Sequence, residues 1–161
     1  MLKSILAATV IPLRYAEAML ADITDAQWTR ELTATRTHPA SIMAHLAVVE
    51  AMTLALLTQR PPQLPAGLSE QLRETAQITP GLAYPRKEDL LTAWRSDRQG
   101  ILDWLRQADS EAFARPVDNE YLAALFPTVG ALAVTSLTVH ESTHLGQLSA
   151  WRRAMDLELP I

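Results

Sequence analysis

The chain has 161 residues, 48% of them hydrophobic, and a net charge of −4. That size fits one domain spanning 1–161 with a core of its own, and the composition excludes a disordered chain. No Lys/Arg cluster offers a nucleic-acid footprint, and the absence of cysteine excludes disulfides, thiolate zinc sites and a cysteine nucleophile. Five glycines, abundant Ala and Leu, and few β-branched runs point to an all-α protein.

The first predicted helix runs from about Lys3 to Ala21, with Leu2, Leu6, Leu13, Ala16 and Leu20 recurring at helical spacing. Pro12 lies inside it and should kink it, or else two shorter helices meet there. The apolar start faintly mimics a signal peptide, but Pro12, Arg14 and Glu17 interrupt it, so it reads as the first helix of the domain. With no apolar stretch of about 18 residues in view, no membrane span is expected and the protein is read as cytoplasmic. Thr24-Asp25 looks like a cap for a short turn through Gln27 and Trp28.

The second helix opens after Thr37-His38-Pro39, with Thr37 or His38 as its cap, and continues to about Thr58. Its buried stripe of Ile42, His45/Leu46, Val49, Met52/Thr53 and Leu56 places His45 in an apolar seam. Taken alone, such a histidine reads as a core residue that finds hydrogen-bond partners. Residues 59–85 hold Pro61, Pro62, Pro65, Pro80 and Pro85. They read as a long crossover with one short helix around Ser69 to Ile78, able to shield or line a pocket.

The third helix runs from about Arg86 to Ala108, with Leu90/Leu91, Trp94, Ile101 and Trp104/Leu105 in its seam. The Asp97/Arg98 pair in mid-stripe reads as a turn where the face rotates toward solvent and the arginine stem snorkels out. Asp109 to Pro127 is a second polar connection. The fourth helix should extend from about Thr128 to Leu157. Its inward stripe is Val129, Leu132/Ala133, Ser136, His140, Thr143/His144, Gln147, Trp151 and Met155, polar through its middle. Gly146 costs about 1 kcal/mol relative to Ala in mid-helix, and close approach of another helix is the reason expected for it.

His140 and His144 are four apart, offset by about 40° and about 6 Å apart on one face. That bite suits a first-row metal ion, with M–N bonds of about 2.0–2.1 Å. A buried polar stripe is costly unless its members are hydrogen-bonded or coordinate a metal. His45 on the second helix can reach the same level of a shared core, giving three imidazoles that suit zinc, nickel, iron or copper. The same letters, His140-Glu141-Ser142-Thr143-His144, also spell the H-E-x-x-H of zinc hydrolases. Glu141 lies about 100° from His140 around the helix, and only Asp156 and Glu158 follow as downstream ligands, so that reading is disfavoured. Glu141 remains a candidate general base if the helix turns it toward an open coordination position.

The segment His38-Pro39 through Ile42-Met43-Ala44-His45-Leu46-Ala47-Val48-Val49-Glu50, with His140-x-x-x-His144-x-Gly146-Gln147-Leu148, resembles the DinB family (DinB/YfiT-like proteins). The helix order, the proline-rich crossover and the segment Trp151-Arg152-Arg153-Ala154-Met155 carry the likeness over nearly the whole chain. The resemblance implies a four-helix bundle of up-down-down-up topology, often a homodimer, with a divalent metal on His45, His140 and His144 and Gln147 as a supporting group. It also implies chemistry of the kind found in thiol-dependent S-transferases and a mycothiol-dependent isomerase, with zinc or nickel foremost, then iron, and a low-molecular-weight thiol as co-substrate. The leading expectation is therefore a metal-dependent enzyme that joins a thiol to a small electrophile. The alternative is a non-catalytic metal-binding or dimeric stress-response bundle. No nucleic-acid or membrane partner is expected.

Overall fold

The computed structural model describes residues 2–69, 72 and 74–160. Among these the secondary structure is helical throughout, with no strand. The predicted first helix is two helices, α1 (Leu2–Ala8) and α2 (Val10–Leu20), and the break falls at Thr9, not at Pro12. Pro12 has no N–H to offer the carbonyl four residues earlier, so the ladder fails ahead of it and the proline occupies the first turn of α2. A short α3 (Asp25–Trp28) follows, with the Gln27 side chain accepting from the Thr24 N–H at 2.9 Å.

The central helix is α4 (Pro39–Thr58). His38 caps it: its Nδ1 accepts from the Ser41 N–H at 2.9 Å, while Pro39 takes the first helical position. His38 is buried against the edge of Tyr84, so it is a cap and not a solvent residue. Nearly every side chain of the first half of α4 is buried. The helix is consequently apolar all round (mean hydropathy 1.8), and it does meet the length and composition of a membrane span, against the expectation of none. Its apolarity is accounted for by packing, since 72% of that window is buried inside this fold.

Residues 74–78 of the crossover are bends and coil; the rest of the short helix expected at Ser69 to Ile78 falls partly on 70, 71 and 73, outside the described residues. The next helix, α5 (Lys87–Gln107), begins and ends within a residue of expectation. The second connection is more ordered than expected, holding α6 (Ser110–Ala114), capped by Asp109, and α7 (Glu120–Leu125), capped by Asn119. The last predicted helix is α8 (Val129–Thr135), a π-helical turn over Ser136–His140, and α9 (Glu141–Ala154).

Two apolar clusters fill the interior. One joins α2, α4, α5 and α9 through Met19, Ile42, Leu46, Trp94, Leu148 and Trp151. The other joins α4, α5, α8 and the π-helical turn through Leu57, Ile101, Leu105, Val129, Leu132 and Leu137. Between them in sequence on each helix lies a buried polar residue: Glu50 on α4, Arg98 on α5 and Glu141 at the start of α9. Arg98, 2% exposed, donates from Nε to Glu141 Oε1 (2.8 Å) and from Nη2 to Glu141 Oε2 (3.1 Å) and to the Thr9 carbonyl at the helix break. The solvent-seeking arginine read from the sequence is thus wrong; a fully buried carboxylate and the Thr9 carbonyl draw it inward.

Gly146 is exposed, and an added Cβ there would meet nothing within 4 Å among the described residues, so no helix approaches it. The close approaches occur at other glycines. At Gly130 a Cβ would lie 2.5 Å from the Phe113 ring of α6, and at Gly100 one would lie 2.7 Å from Leu54 of α4.

Candidate metal centre

The three histidines singled out from the sequence come together, with a ligand atom from each lying within 4.8 Å of the others. His45 arrives from α4 and is almost fully buried; His140 ends the π-helical turn and His144 lies in the first turn of α9, both half-buried. His140 Nε2 is 3.1 Å from His45 Nε2 and 3.2 Å from His144 Nε2. The helices run antiparallel here, since Glu50 meets Ser136 while His45 meets His140.

The outer ring nitrogens decide what the inner ones can do. His45 Nδ1 donates to the Leu72 carbonyl at 2.5 Å, and His144 Nδ1 donates to Gln147 Oε1 at 2.9 Å. Each of these rings therefore turns an Nε2 lone pair toward His140, whose Nε2 has one proton at most and cannot satisfy both. At least one of the two contacts is therefore left without a hydrogen bond, and a cation among the three nitrogens would satisfy all of their lone pairs. Bonds of about 2.0–2.1 Å place nitrogen ligands about 2.9 Å apart at right angles and about 3.4 Å apart in a tetrahedron, which brackets the two spacings from His140. The donor set fits a divalent ion, and holding the other ring N–H on a carbonyl or amide oxygen is the usual way such ligands are oriented.

Burial also keeps the rings in the form a metal needs. His45 is held down to about 4 and His140 to about 3, by desolvation first and then by repulsion from the neighbouring imidazoles. His144 is lowered by burial too, against its bond to Gln147. All three are neutral near pH 7, ready to bind a cation without first losing a proton.

His140 also lines an open cleft of about 1090 Å³. Met52, Leu56, Leu122, Phe126 and Leu132 give it apolar walls, and Thr53, Ser136, Arg60 and Tyr121 stand among its polar residues. Arg115 frames it by donating to the Leu56 and Leu57 carbonyls at the end of α4 (2.8 and 3.0 Å).

The sequence of residues 13–148 matches the DinB superfamily. The chain belongs to the DinB superfamily. The match takes in all three histidines and Gln147, and no curated protein matches the chain. Within this DinB-superfamily protein the structure departs from the sequence reading at Glu141. That carboxylate has no solvent exposure, and Arg98 occupies both of its oxygens, so it is not placed to serve as a base at the histidine cluster. Burial pushes it up to about 7 and Arg98 opposes the shift. The spelling H-E-x-x-H is therefore incidental, its glutamate belonging to the core ion pair.

Two supporting groups escaped the sequence. Leu72 acts through a backbone carbonyl in the crossover, which no side-chain motif reveals. Glu50 closes the helix segment that carries the family resemblance, but nothing local marks it as buried; it packs against Ser136 of the π-helical turn.

Proposed function

We propose that this protein is a metal-dependent enzyme that transfers a low-molecular-weight thiol to a small electrophile. The observation that carries the reading is the meeting of three Nε2 atoms, two with committed lone pairs, beside a cleft sized for a small molecule. In it His45, His140 and His144 hold a divalent ion, zinc or nickel foremost and iron after them. When bound, that ion lowers the pKa of a thiol and keeps the thiolate beside its partner. The chain's own residues supply the rest. The Leu72 carbonyl and Gln147 fix two imidazole tautomers, burial holds the rings neutral, and the apolar cleft walls limit water around an entering electrophile. The thiol comes from outside, since the chain has no cysteine.

The finer architecture belongs to the same proposal: a four-helix bundle of up-down-down-up topology, with α1–α2, α4, α5 and α8–α9 as its rods, working as a homodimer in the cytoplasm. The reading is tested by loss of free thiol from cysteine or glutathione in the presence of a chlorodinitrobenzene electrophile. Metal-loaded wild type should consume thiol above the buffer rate, and His140→Ala should not. Stoichiometric metal with no thiol consumption across a panel of electrophiles would favour the non-catalytic metal-binding bundle instead.

A further inference from the structure

Three buried side-chain polar atoms lack a hydrogen-bond partner among the described residues: Glu50 Oε1, Trp94 Nε1 and His140 Nδ1. The Trp94 indole lies against Glu141 and belongs to the ion-pair layer. The other two belong to residues linked through Ser136. Ser136 donates its hydroxyl to Glu50 Oε2 at 3.1 Å, and Ser136 and His140 are the two ends of the π-helical turn. A helical imidazole leans back over the turn before its own Cα, which for His140 is the turn of Ser136. His140 Nε2 faces His45 and His144. Glu50 lies five residues beyond His45 on the antiparallel α4, at the level of Ser136.

The chemistry of the two orphans is complementary. If His140 Nε2 gives its lone pair to a cation, Nδ1 carries the proton and is a buried donor in need of an acceptor. His45 and His144 have theirs in Leu72 and Gln147. Glu50 Oε1 is an oxygen with no group bonded to it, on a residue of no solvent exposure whose nearby cation, Arg98, is engaged by Glu141. No direct bond joins the two, so the link needs a group that both accepts and donates. Water meets that need and has a route in, because Ser136, Thr53 and His140 all line the cleft.

We infer that Glu50 is the positioning residue of His140, acting through one buried water that accepts from the Nδ1–H and bonds Glu50 Oε1. This rests on the three-histidine metal reading. It completes a set in which each imidazole is held by its outer nitrogen, and it explains why an acid lies buried in the core without a cation of its own.

The test compares zinc affinity, by chelator competition, with the urea midpoint of the metal-free protein for wild type, Glu50→Leu and Glu50→Gln. Loss of such a supporting group weakens metal binding by about 10–100-fold, and that is the result expected for Glu50→Leu. Its metal-free urea midpoint should stay close to wild type, because relief of the buried carboxyl's desolvation offsets the lost bond from the Ser136 hydroxyl. Glu50→Gln keeps shape and hydrogen-bonding capacity and should stay within about threefold of wild type. A merely structural Glu50 would lower stability and leave zinc affinity in the folded protein unchanged. Wild type that binds zinc while Glu50→Leu binds it equally well overturns this inference and leaves the metal reading standing. Wild type that fails to bind zinc overturns both. Should Glu50→Leu not fold, the His140 ring proton in zinc-loaded wild type reads the same link by NMR. A slowly exchanging Nδ1–H supports it, and one exchanging freely with water overturns it.

Discussion

Exchanging Arg98 for methionine removes the cation of the core ion pair while keeping an apolar stem of similar length. The structure fixes what is lost: two charge-assisted bonds to Glu141 at 2.8 and 3.1 Å, and the bond to the Thr9 carbonyl between α1 and α2. Arg98 and Glu141 are 2% and 0% exposed, so solvent cannot replace the missing donor. Each charge-assisted bond contributes about 1.5–3 kcal/mol and the carbonyl bond about 1, against which relief of the arginine's own desolvation returns part. The net cost is about 3–4 kcal/mol, within the range of about 3–5 for breaking one partner of a buried pair. With an m-value of about 2 kcal/mol/M for a domain of this size, the urea midpoint should fall by about 1.5–2 M. Arg98→Met/Glu141→Leu removes both charges and should recover to within about 1 kcal/mol of wild type. A single-variant midpoint within about 0.5 M of wild type, or a double variant less stable than Arg98→Met, would refute this account of the core.

Other outcomes follow from the same geometry. Gln147→Leu leaves the His144 Nδ1–H without its acceptor and should weaken zinc binding by about 10–100-fold in chelator competition, with the fold intact by circular dichroism. Gly146→Ala fills open space on an exposed helical turn and should raise stability by about 0.5–1 kcal/mol, whereas Gly130→Ala drives a methyl into the Phe113 ring and should lower it by about 1–3 kcal/mol, both read by urea denaturation. Asp97 is half-buried and desolvation pushes it up to about 6, so the folded state binds more protons than the unfolded one between its ordinary 3.8 and that value. The resulting penalty is absent below pH 3.8, grows as pH rises to about 6 and is constant above. Discounted for solvent screening, Asp97→Asn should gain about 1 kcal/mol at pH 8 and nothing at pH 3.5.

The sequence made the helical class, the long helices and the three histidines legible because each rests on a local rule. Pro39 and His38 start α4 by capping chemistry, and Pro61-Pro62 follow closely on its end. His140 and His144 share a face by helical spacing alone. What it hid were features set by tertiary context. The π-helical turn adds a residue between α8 and α9, so the line that faces the core becomes Leu137, Glu141, Leu145 and Leu148, and His140 turns to the side that lines the cleft. A straight helix extrapolated from Val129 to Met155 instead placed the histidines inward and Glu141 outside. The same missing information sent Arg98 to solvent, because nothing near it in the chain announces that its partner is Glu141. Gly146 misled for a simpler reason: a glycine within a helix invites a packing explanation, and here it has none.

The central claim is that His45, His140 and His144 form one metal site. Tag-free protein, loaded with zinc and freed of excess, should carry one metal ion per chain by elemental analysis, with an anomalous-scattering peak among the three Nε2 atoms at about 2.0–2.1 Å from each. His45→Ala, His140→Ala and His144→Ala should each lose that ion. Stoichiometric metal retained by all three variants, or a peak elsewhere in the molecule, would contradict the account.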